Sequence, residues 1–146
     1  MHNIVIGCDP NAVQMKNSMI AHLRQNGHFV TDYGSDDVVY ANTAELVATA
    51  VAHKEYDTGI LICGTGIGMS IAANKIRGVY AAQLSDCYSA QRARLSNNAN
   101  VACFGAFTLG ISLALLVVDT FLGYEYVPGT SSEPKVNKII ELDMNK

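Results

Sequence analysis

Short apolar runs alternate along the chain with longer stretches in which apolar side chains recur every three or four residues. The short runs predict buried strands, and they occupy residues 3–7, 29–33, 59–63, 79–84 and 101–104. The longer stretches predict helices, which occupy residues 13–26, 43–54, 69–75, 86–95, 107–122 and 134–144. Alternating strands and helices of this length predict a Rossmann-like three-layer α/β/α sandwich with a five-stranded parallel sheet, in a single domain over residues 1–146.

The stretch at residues 107–122 is the most apolar of the predicted helices. It contains Gly110 and Asp119 and is too short to span a bilayer, so we expect a core or interface helix and no membrane association. One face is expected to pack on the sheet, and it comprises Phe107, Ile111, Ala114, Leu115, Val118 and Leu122. The opposite face would otherwise form an exposed patch, which predicts self-association; it comprises Leu113, Leu116, Val117 and Phe121.

Composition excludes several classes of protein. Half of the 146 residues are apolar, and the net charge of −3 comes without a basic cluster, which argues against nucleic acid as a partner. The first residues already have a strand pattern, so we expect no secretory signal and a cytoplasmic location. The four cysteines are scattered without Cys-x-x-Cys pairing, which predicts free thiols and no metal site.

Polar residues follow three of the predicted strands. Asp9, Cys63 and Asp86 each lie at or just after a strand end. Because ligands of parallel sheets bind beyond the carboxyl ends of the strands, we expect these three residues to share one cleft.

The strand at residues 59–63 ends on Cys63 and runs into a loop with glycines at 64, 66 and 68. Glycine lets the backbone turn sharply and approach a ligand, and the first amides of the next helix have no partner in that helix. A thiolate beside such amides could abstract a proton next to a carbonyl while the amides hold the enediolate. The loop could equally be a tight connection with a buried, inert thiol.

The segment Cys-Gly-Thr-Gly-Ile-Gly-Met-Ser-Ile-Ala-Ala-Asn-Lys at residues 63–75 resembles the central motif of the ribose-5-phosphate isomerase B and galactose-6-phosphate isomerase family. The resemblance extends from residues 4–9 through Tyr40 and residues 47–51, 85–90 and 97–101 to Gly105, and it is weak in the C-terminal tail.

The resemblance implies a role for each matching residue. Cys63 would be the base that moves a proton between C1 and C2 of an opened sugar phosphate. Thr65 would hold the enediolate oxygens, together with the amides of Gly64, Gly66 and Gly68. Asp9 would bind sugar hydroxyls, a role compatible with capping the next helix, and Tyr40 would line the pocket. Asn97 would contact substrate hydroxyls. The family builds its site at a dimer interface, with the ring-opening histidine and the arginines coming from the neighbouring subunit.

Three positions depart from the family pattern. Pro10 follows Asp9 where the family has histidine, and Ser96 replaces the histidine credited with ring opening. The C-terminal arginines that hold the phosphate are missing, so Lys135 is the only cation of that segment. Arg92 and Lys135 are the candidates for phosphate binding, whereas Arg94 matches a family arginine that could be structural.

The sequence therefore predicts an aldose–ketose isomerase of a sugar phosphate, of the ribose 5-phosphate to ribulose 5-phosphate type, without a cofactor. A smaller or already open substrate would make a ring-opening histidine unnecessary. Two alternatives remain open: one subunit of a heteromeric galactose-6-phosphate isomerase, and a non-catalytic sugar-phosphate-binding protein. The expected partners are a small-molecule sugar phosphate and a second subunit, either a copy or a homologue, in a dimer or tetramer.

Overall fold

Five parallel strands form the sheet on which the helices pack. The structure is a computed structural model that describes residues 1–146. The strands are β1 (Asn3–Cys8), β2 (Phe29–Asp32), β3 (Thr58–Cys63), β4 (Ala81–Gln83) and β5 (Val101–Gly105). Their order across the sheet is β2-β1-β3-β5-β4, and every pair is parallel. The predicted five-stranded parallel sheet is confirmed.

Helices cover both faces of this sheet. They are α1 (Val13–Gln25), α2 (Tyr40–Ala52), α3 (Ile67–Ala73), α4 (Cys87–Leu95), α5 (Ile111–Leu122) and α6 (Glu133–Met144), with a short 3-10 turn at Pro10–Ala12. Helices α2 and α3 pack on one face, whereas α1, α4 and α5 pack on the other. The predicted three-layer sandwich is therefore confirmed. None of the six helices combines the length and the apolar character that crossing a bilayer requires.

The central strands are buried on both faces, which explains why their sequences are continuously apolar. Along β1, Ile4 and Ile6 contribute to the core under α1 and α5, and Val5 contributes to the core under α2. Every residue of β3 is buried. A strand held in this way delivers the residue at its carboxyl end, Cys63, to a fixed position.

Helix α5 differs from its prediction in its start and in its buried face. It begins at Ile111, after the extended residue Gly110, so Phe107 precedes the helix and is exposed. Val117 and Phe121 are fully buried, and the prediction that they form an exposed patch is wrong. The buried face is wider than expected because α5 packs on α1 and α4 as well as on the sheet. Leu113 and Leu116 remain exposed on its outer face.

Helix α6 is anchored to the segment before β4 through Asp143. This buried carboxylate accepts hydrogen bonds from the Gly78 amide (2.7 Å) and the Tyr80 hydroxyl (3.1 Å), and it pairs with Lys146. Burial alone would raise the pKa of Asp143, but the hydrogen bonds from Lys146, Gly78 and Tyr80 outweigh it and lower the pKa. The anchor places α6 beside the edge of the sheet.

Stability should fall as the pH drops below about 6.5, the ordinary pKa of histidine, through His28. Burial, His2 and the N-terminal ammonium lower the pKa of His28, and its Nδ1 accepts the His2 amide at 3.0 Å. The unfolded chain therefore binds this proton at a higher pH than the folded chain, so stability present above the unfolded pKa is lost on acidification. Protonation of Nδ1 removes a hydrogen bond worth about 1 kcal/mol.

Thermal unfolding at pH 7.5 and pH 5.5 measures this contribution. His28→Asn places an acceptor where Nδ1 lies but does not titrate, so its loss of stability on acidification should be smaller than that of the wild type. An equal loss in the two proteins would show that His28 does not carry the effect.

Candidate active site

The loop after β3 holds Cys63 beside a donor. Cys63 is buried, and the backbone amide of Gly66 donates a hydrogen bond to its Sγ at 3.1 Å. The Ile67 amide donates to Thr65 Oγ1 at 3.2 Å. The amides of Gly64, Thr65 and Gly68 have no acceptor anywhere in the chain. The loop therefore presents unpaired donors next to a thiol, which is the arrangement that the sequence predicts.

Two loop positions require glycine. Gly66 has a φ of 77°, and a Cβ there would lie 2.9 Å from the carbonyl carbon of Phe104. A Cβ on Gly68 would lie 2.1 Å from Cε1 of the Tyr40 ring. The sequence of the loop thus lets β5 and the Tyr40 side chain approach its backbone closely.

Asp9 lies across the site at the end of β1. Its Oδ1 accepts the Asn11 amide at 3.0 Å and so caps the 3-10 turn, as the sequence predicts for a helix cap. The residue is only 9% exposed, and its second carboxylate oxygen has no partner in the chain. That oxygen is free to accept a hydrogen bond from a ligand hydroxyl.

These elements surround one open cavity of about 480 Å³. Its lining comprises Asp9, Tyr40, Cys63, Gly64, Thr65, Ile67, Gly68, Ile71 and Phe107. The structure thereby brings together six of the predicted site residues, and Gly66 adjoins them through its bond to Cys63. No lysine, arginine or histidine lines the cavity, and Asp9 is its only charged residue.

Three apolar residues of the lining were not predicted as site residues: Ile67, Ile71 and Phe107. All three are exposed, and Phe107 is 71% accessible. Phe107 follows the end of β5 by two residues, so the carboxyl-end rule that selected Asp9 could also have found it. Ile67 and Ile71 occupy one face of α3, at a spacing of one helical turn.

Arg92, Asn97 and Lys135 lie outside the Cys63 cavity. Arg92 and Asn97 line a separate cavity of about 430 Å³ between α4, β4 and α6. Arg92 donates to the Ser96 hydroxyl from Nε (2.8 Å) and from a terminal nitrogen (2.5 Å), and Asn97 donates to the Arg92 carbonyl. Lys135 is exposed on α6. A single chain therefore keeps the predicted phosphate-binding residues apart from the thiol.

Asp86 does not share the cleft, so this prediction is wrong. It caps α4 by accepting hydrogen bonds from the Ser89 hydroxyl and amide, which lower the pKa of its carboxyl. Its strand, β4, is at the edge of the sheet, whereas β1 and β3 are central neighbours. Strand ends share a cleft only where the strands are close, and sequence spacing does not give strand order.

Arg94 has a structural role. Its guanidinium stacks on the Phe121 ring at 5.4 Å and donates to the carbonyls of Ala99 and Tyr124. It thus holds the segment after α5 against the end of α4.

The other buried thiols are poor candidates for a base. Burial raises the pKa of Cys8 to about 11 and also raises the pKa of Cys103. Both remain protonated at neutral pH. All four cysteines are free, and no cluster of three or more potential metal ligands occurs in the chain.

Comparisons with known proteins agree with the fold and indicate a family. The family described as Ribose/Galactose Isomerase matches residues 4–139. The chain is 46% identical to ribose-5-P isomerase B of Listeria innocua, over 96% of both chains. It is also 46% identical to D-erythrulose-4-phosphate isomerase of Pectobacterium atrosepticum, over 95% of this chain and 93% of that one.

A solved structure gives the same result. Ribose-5-phosphate isomerase B of Clostridium thermocellum superposes with a TM-score of 0.92 at 38% identity, and the match covers 98% of each chain. The same family follows from the family match, from the two relatives and from this solved structure. The chain belongs to the ribose and galactose isomerase family.

Proposed function

We propose that this chain is an aldose–ketose isomerase of a sugar phosphate, with Cys63 as the base that transfers the proton. The observation that carries the proposal is the single cavity lined by Cys63, by Asp9 with its unpaired carboxylate oxygen, and by the loop residues Gly64, Thr65 and Gly68, whose amides have no acceptor. Sugar isomerisation needs a base at carbon, donors for an oxyanion and an acceptor for hydroxyls. In this cavity Cys63 would be the base, the loop amides would be the donors and Asp9 would be the acceptor.

In the reaction, the Cys63 thiolate removes the proton from C2 of the open aldose. The C2–H bond breaks, an S–H bond forms, and the electron pair makes the C1–C2 double bond of the enediolate. The amides of Gly64, Thr65 and Gly68 stabilise the negative oxygen. The thiol then returns the proton to C1, and the transfer of the O2 proton to O1 completes the ketose.

Thr65, Asp9 and Tyr40 would orient the substrate. The Thr65 side chain belongs to the loop and accepts the Ile67 amide, so its hydroxyl hydrogen is available to the substrate oxygen. Asp9 would accept hydrogen bonds from a sugar hydroxyl. The Tyr40 ring packs on Gly68, which fixes its position in the cavity wall.

The phosphate is the part of the substrate for which this cavity offers no cation. We propose that a second subunit supplies the phosphate-binding cations, with Arg92, Asn97 and Lys135 of that subunit reaching the Cys63 cavity. The rim formed by Ile67, Ile71 and Phe107 is exposed and apolar, as expected of a surface that a neighbour covers. The neighbour would be a second copy or, in the heteromeric alternative, a homologue.

The side chains also bear on the kind of sugar. Ring opening needs an acid and a base at the ring oxygen and the anomeric hydroxyl, yet no histidine lines any cavity of the chain. The Ser96 hydroxyl is already bound by Arg92. A four-carbon sugar phosphorylated at C4 cannot close a furanose ring, because the hydroxyl that would close it is esterified. We therefore propose an open-chain substrate such as D-erythrulose 4-phosphate, after which the Pectobacterium relative is named.

The purified chain should turn over D-erythrulose 4-phosphate with a kcat/KM at least about tenfold above that for ribose 5-phosphate, since one acid–base step of the larger substrate lacks its catalyst. Ser96→His is the matched variant. It should raise kcat/KM for ribose 5-phosphate and leave that for the four-carbon substrate unchanged. Faster turnover of ribose 5-phosphate by the wild type would contradict the open-chain proposal.

The same preparation separates the alternatives. The active protein should sediment as a dimer or larger assembly, and turnover by a monodisperse monomer would contradict a site completed by a second subunit. Activity that appears only with a homologous subunit would favour the heteromer, and binding without turnover would favour the non-catalytic alternative. The free thiols suit a reducing cytoplasm, which is the proposed compartment.

A further inference from the structure

Gln83 connects the edge of the sheet to the loop after β3. It is the last residue of β4, and its Nε2 donates to the Thr65 carbonyl at 3.1 Å. The nitrogen is the atom that bonds, since the amide oxygen would face another acceptor. Gln83 is the only residue of the chain that donates to this carbonyl.

The Thr65 carbonyl and the Gly66 amide belong to one peptide unit. The chain has no cis peptide, so the carbonyl and the N–H point in opposite directions. One side of the unit is held by Gln83 at 3.1 Å, and the other side donates to Cys63 Sγ at 3.1 Å. Two hydrogen bonds through a single peptide thus link the Gln83 side chain to the sulfur.

Gln83 supplies the hydrogen bond that orients this peptide on the Thr65 side, where the Thr65 backbone also packs closely against Gly105. Gly66 is confined by the Phe104 backbone, whereas the Thr65 residue is exposed. Without Gln83, the plane could turn about the bonds of Thr65, which would lengthen the bond to sulfur. A donor bound at the carbonyl also polarises the peptide, which strengthens donation from its N–H.

We propose that Gln83 is a positioning residue for Cys63, which orients and polarises the Thr65–Gly66 peptide so that its N–H stabilises the thiolate. The inference rests on the proposed function, in which this thiolate is the base. The Gly66 amide is the donor that the chain gives to the Cys63 sulfur, so the orientation of this peptide sets that bond. Gln83 touches neither the sulfur nor the reacting carbons and acts through one peptide.

The test is the pH dependence of Cys63 alkylation by iodoacetamide, followed by mass spectrometry of the peptide that contains Cys63. Gln83→Met keeps the length of the side chain and removes the donor. Alkylation at pH 7 should slow by about twofold to fivefold, and the pH of half-maximal rate should move upward. Gln83→Glu should move it further, because a carboxylate repels the Thr65 carbonyl.

The controls separate an effect on the thiol from an effect on the fold. Gln91→Met makes the same change on α4, where Gln91 lines no cavity, and should leave the profile unchanged. Cys8 and Cys103 are fully buried and should stay unlabelled in every folded variant. If iodoacetamide labels Cys8 or Cys103 in Gln83→Met, that variant is not correctly folded. The pH profile of Gln83→Glu then tests the proposal. A wild-type pH profile in the folded variant overturns the inference.

This assay involves no sugar, so its outcome does not depend on isomerase activity. An unchanged profile alongside wild-type turnover would refute the role of Gln83 and leave the proposed function standing. A shifted profile in a protein that turns over no sugar phosphate would refute the function alone.

Discussion

Cys63→Ser is expected to lower kcat for the sugar phosphate by about 10² to 10⁴-fold, the usual cost of losing a general base. The serine hydroxyl has nearly the shape of the thiol but is a far weaker acid, so almost none of it is ionised at neutral pH. KM should change little, since the proposed binding groups are the other residues of the cavity and the cations of the second subunit. Initial rates of the purified variant measure both constants.

Cys87→Ser is the matched control because Cys87 lies at the start of α4, outside every cavity. It should retain wild-type rates. Wild-type turnover in Cys63→Ser, alongside an inactive Cys87→Ser or Cys8→Ser, would place the chemistry at another thiol.

Gly66→Ala is expected to destabilise the protein by about 3 kcal/mol. Two costs combine at this position: a left-handed backbone with φ at 77°, and a Cβ that would lie 2.9 Å from backbone atoms of Phe104. Phe104 cannot retreat easily, since β5 pairs with both β3 and β4. The loop would move instead, so the Gly66 amide would leave Cys63 Sγ and activity would fall as well.

Gly27→Ala separates the two costs. Gly27 also has a left-handed conformation, with φ at 89°, but no atom lies within 4 Å of the position of its Cβ. It should lose only the conformational cost of about 1 kcal/mol. Denaturant unfolding of both variants gives the comparison, and equal losses would show that contact with Phe104 does not confine the loop.

The succession of strands and helices along the chain could be predicted from periodicity, because the central strands β1, β3 and β5 contain short, buried apolar runs between polar turns. Helix faces were less predictable. Val117 and Phe121 are buried because α5 contacts two other helices in addition to the sheet, and no local pattern reveals those neighbours. Phe107 lies in a turn before α5, where its amide donates a hydrogen bond to the Gly64 carbonyl. The apolar run of the sequence therefore starts before the helix does.

The loop of the site could be predicted because its function depends on consecutive residues, from Cys63 to Gly68. Contacts across the sheet could not. Gln83 reaches Thr65 only because β4 is the neighbour of β5, and Asp86 misses the cleft for the same reason. Strand order arises from tertiary packing. In the proposed assembly, Arg92, Asn97 and Lys135 act across a contact between subunits, which no local pattern in one sequence predicts.

Solvent hydrogen exchange at the reacting carbons tests the central claim most directly. In D2O, the proton that Cys63 removes exchanges with solvent on the thiol before one returns to carbon, so the wild-type protein should introduce deuterium at C1 or C2 of the sugar phosphate, detected by NMR. Cys63→Ser should introduce almost none, while its thermal stability and its affinity for the substrate stay close to those of the wild type. Exchange by Cys63→Ser at the wild-type rate would contradict the account.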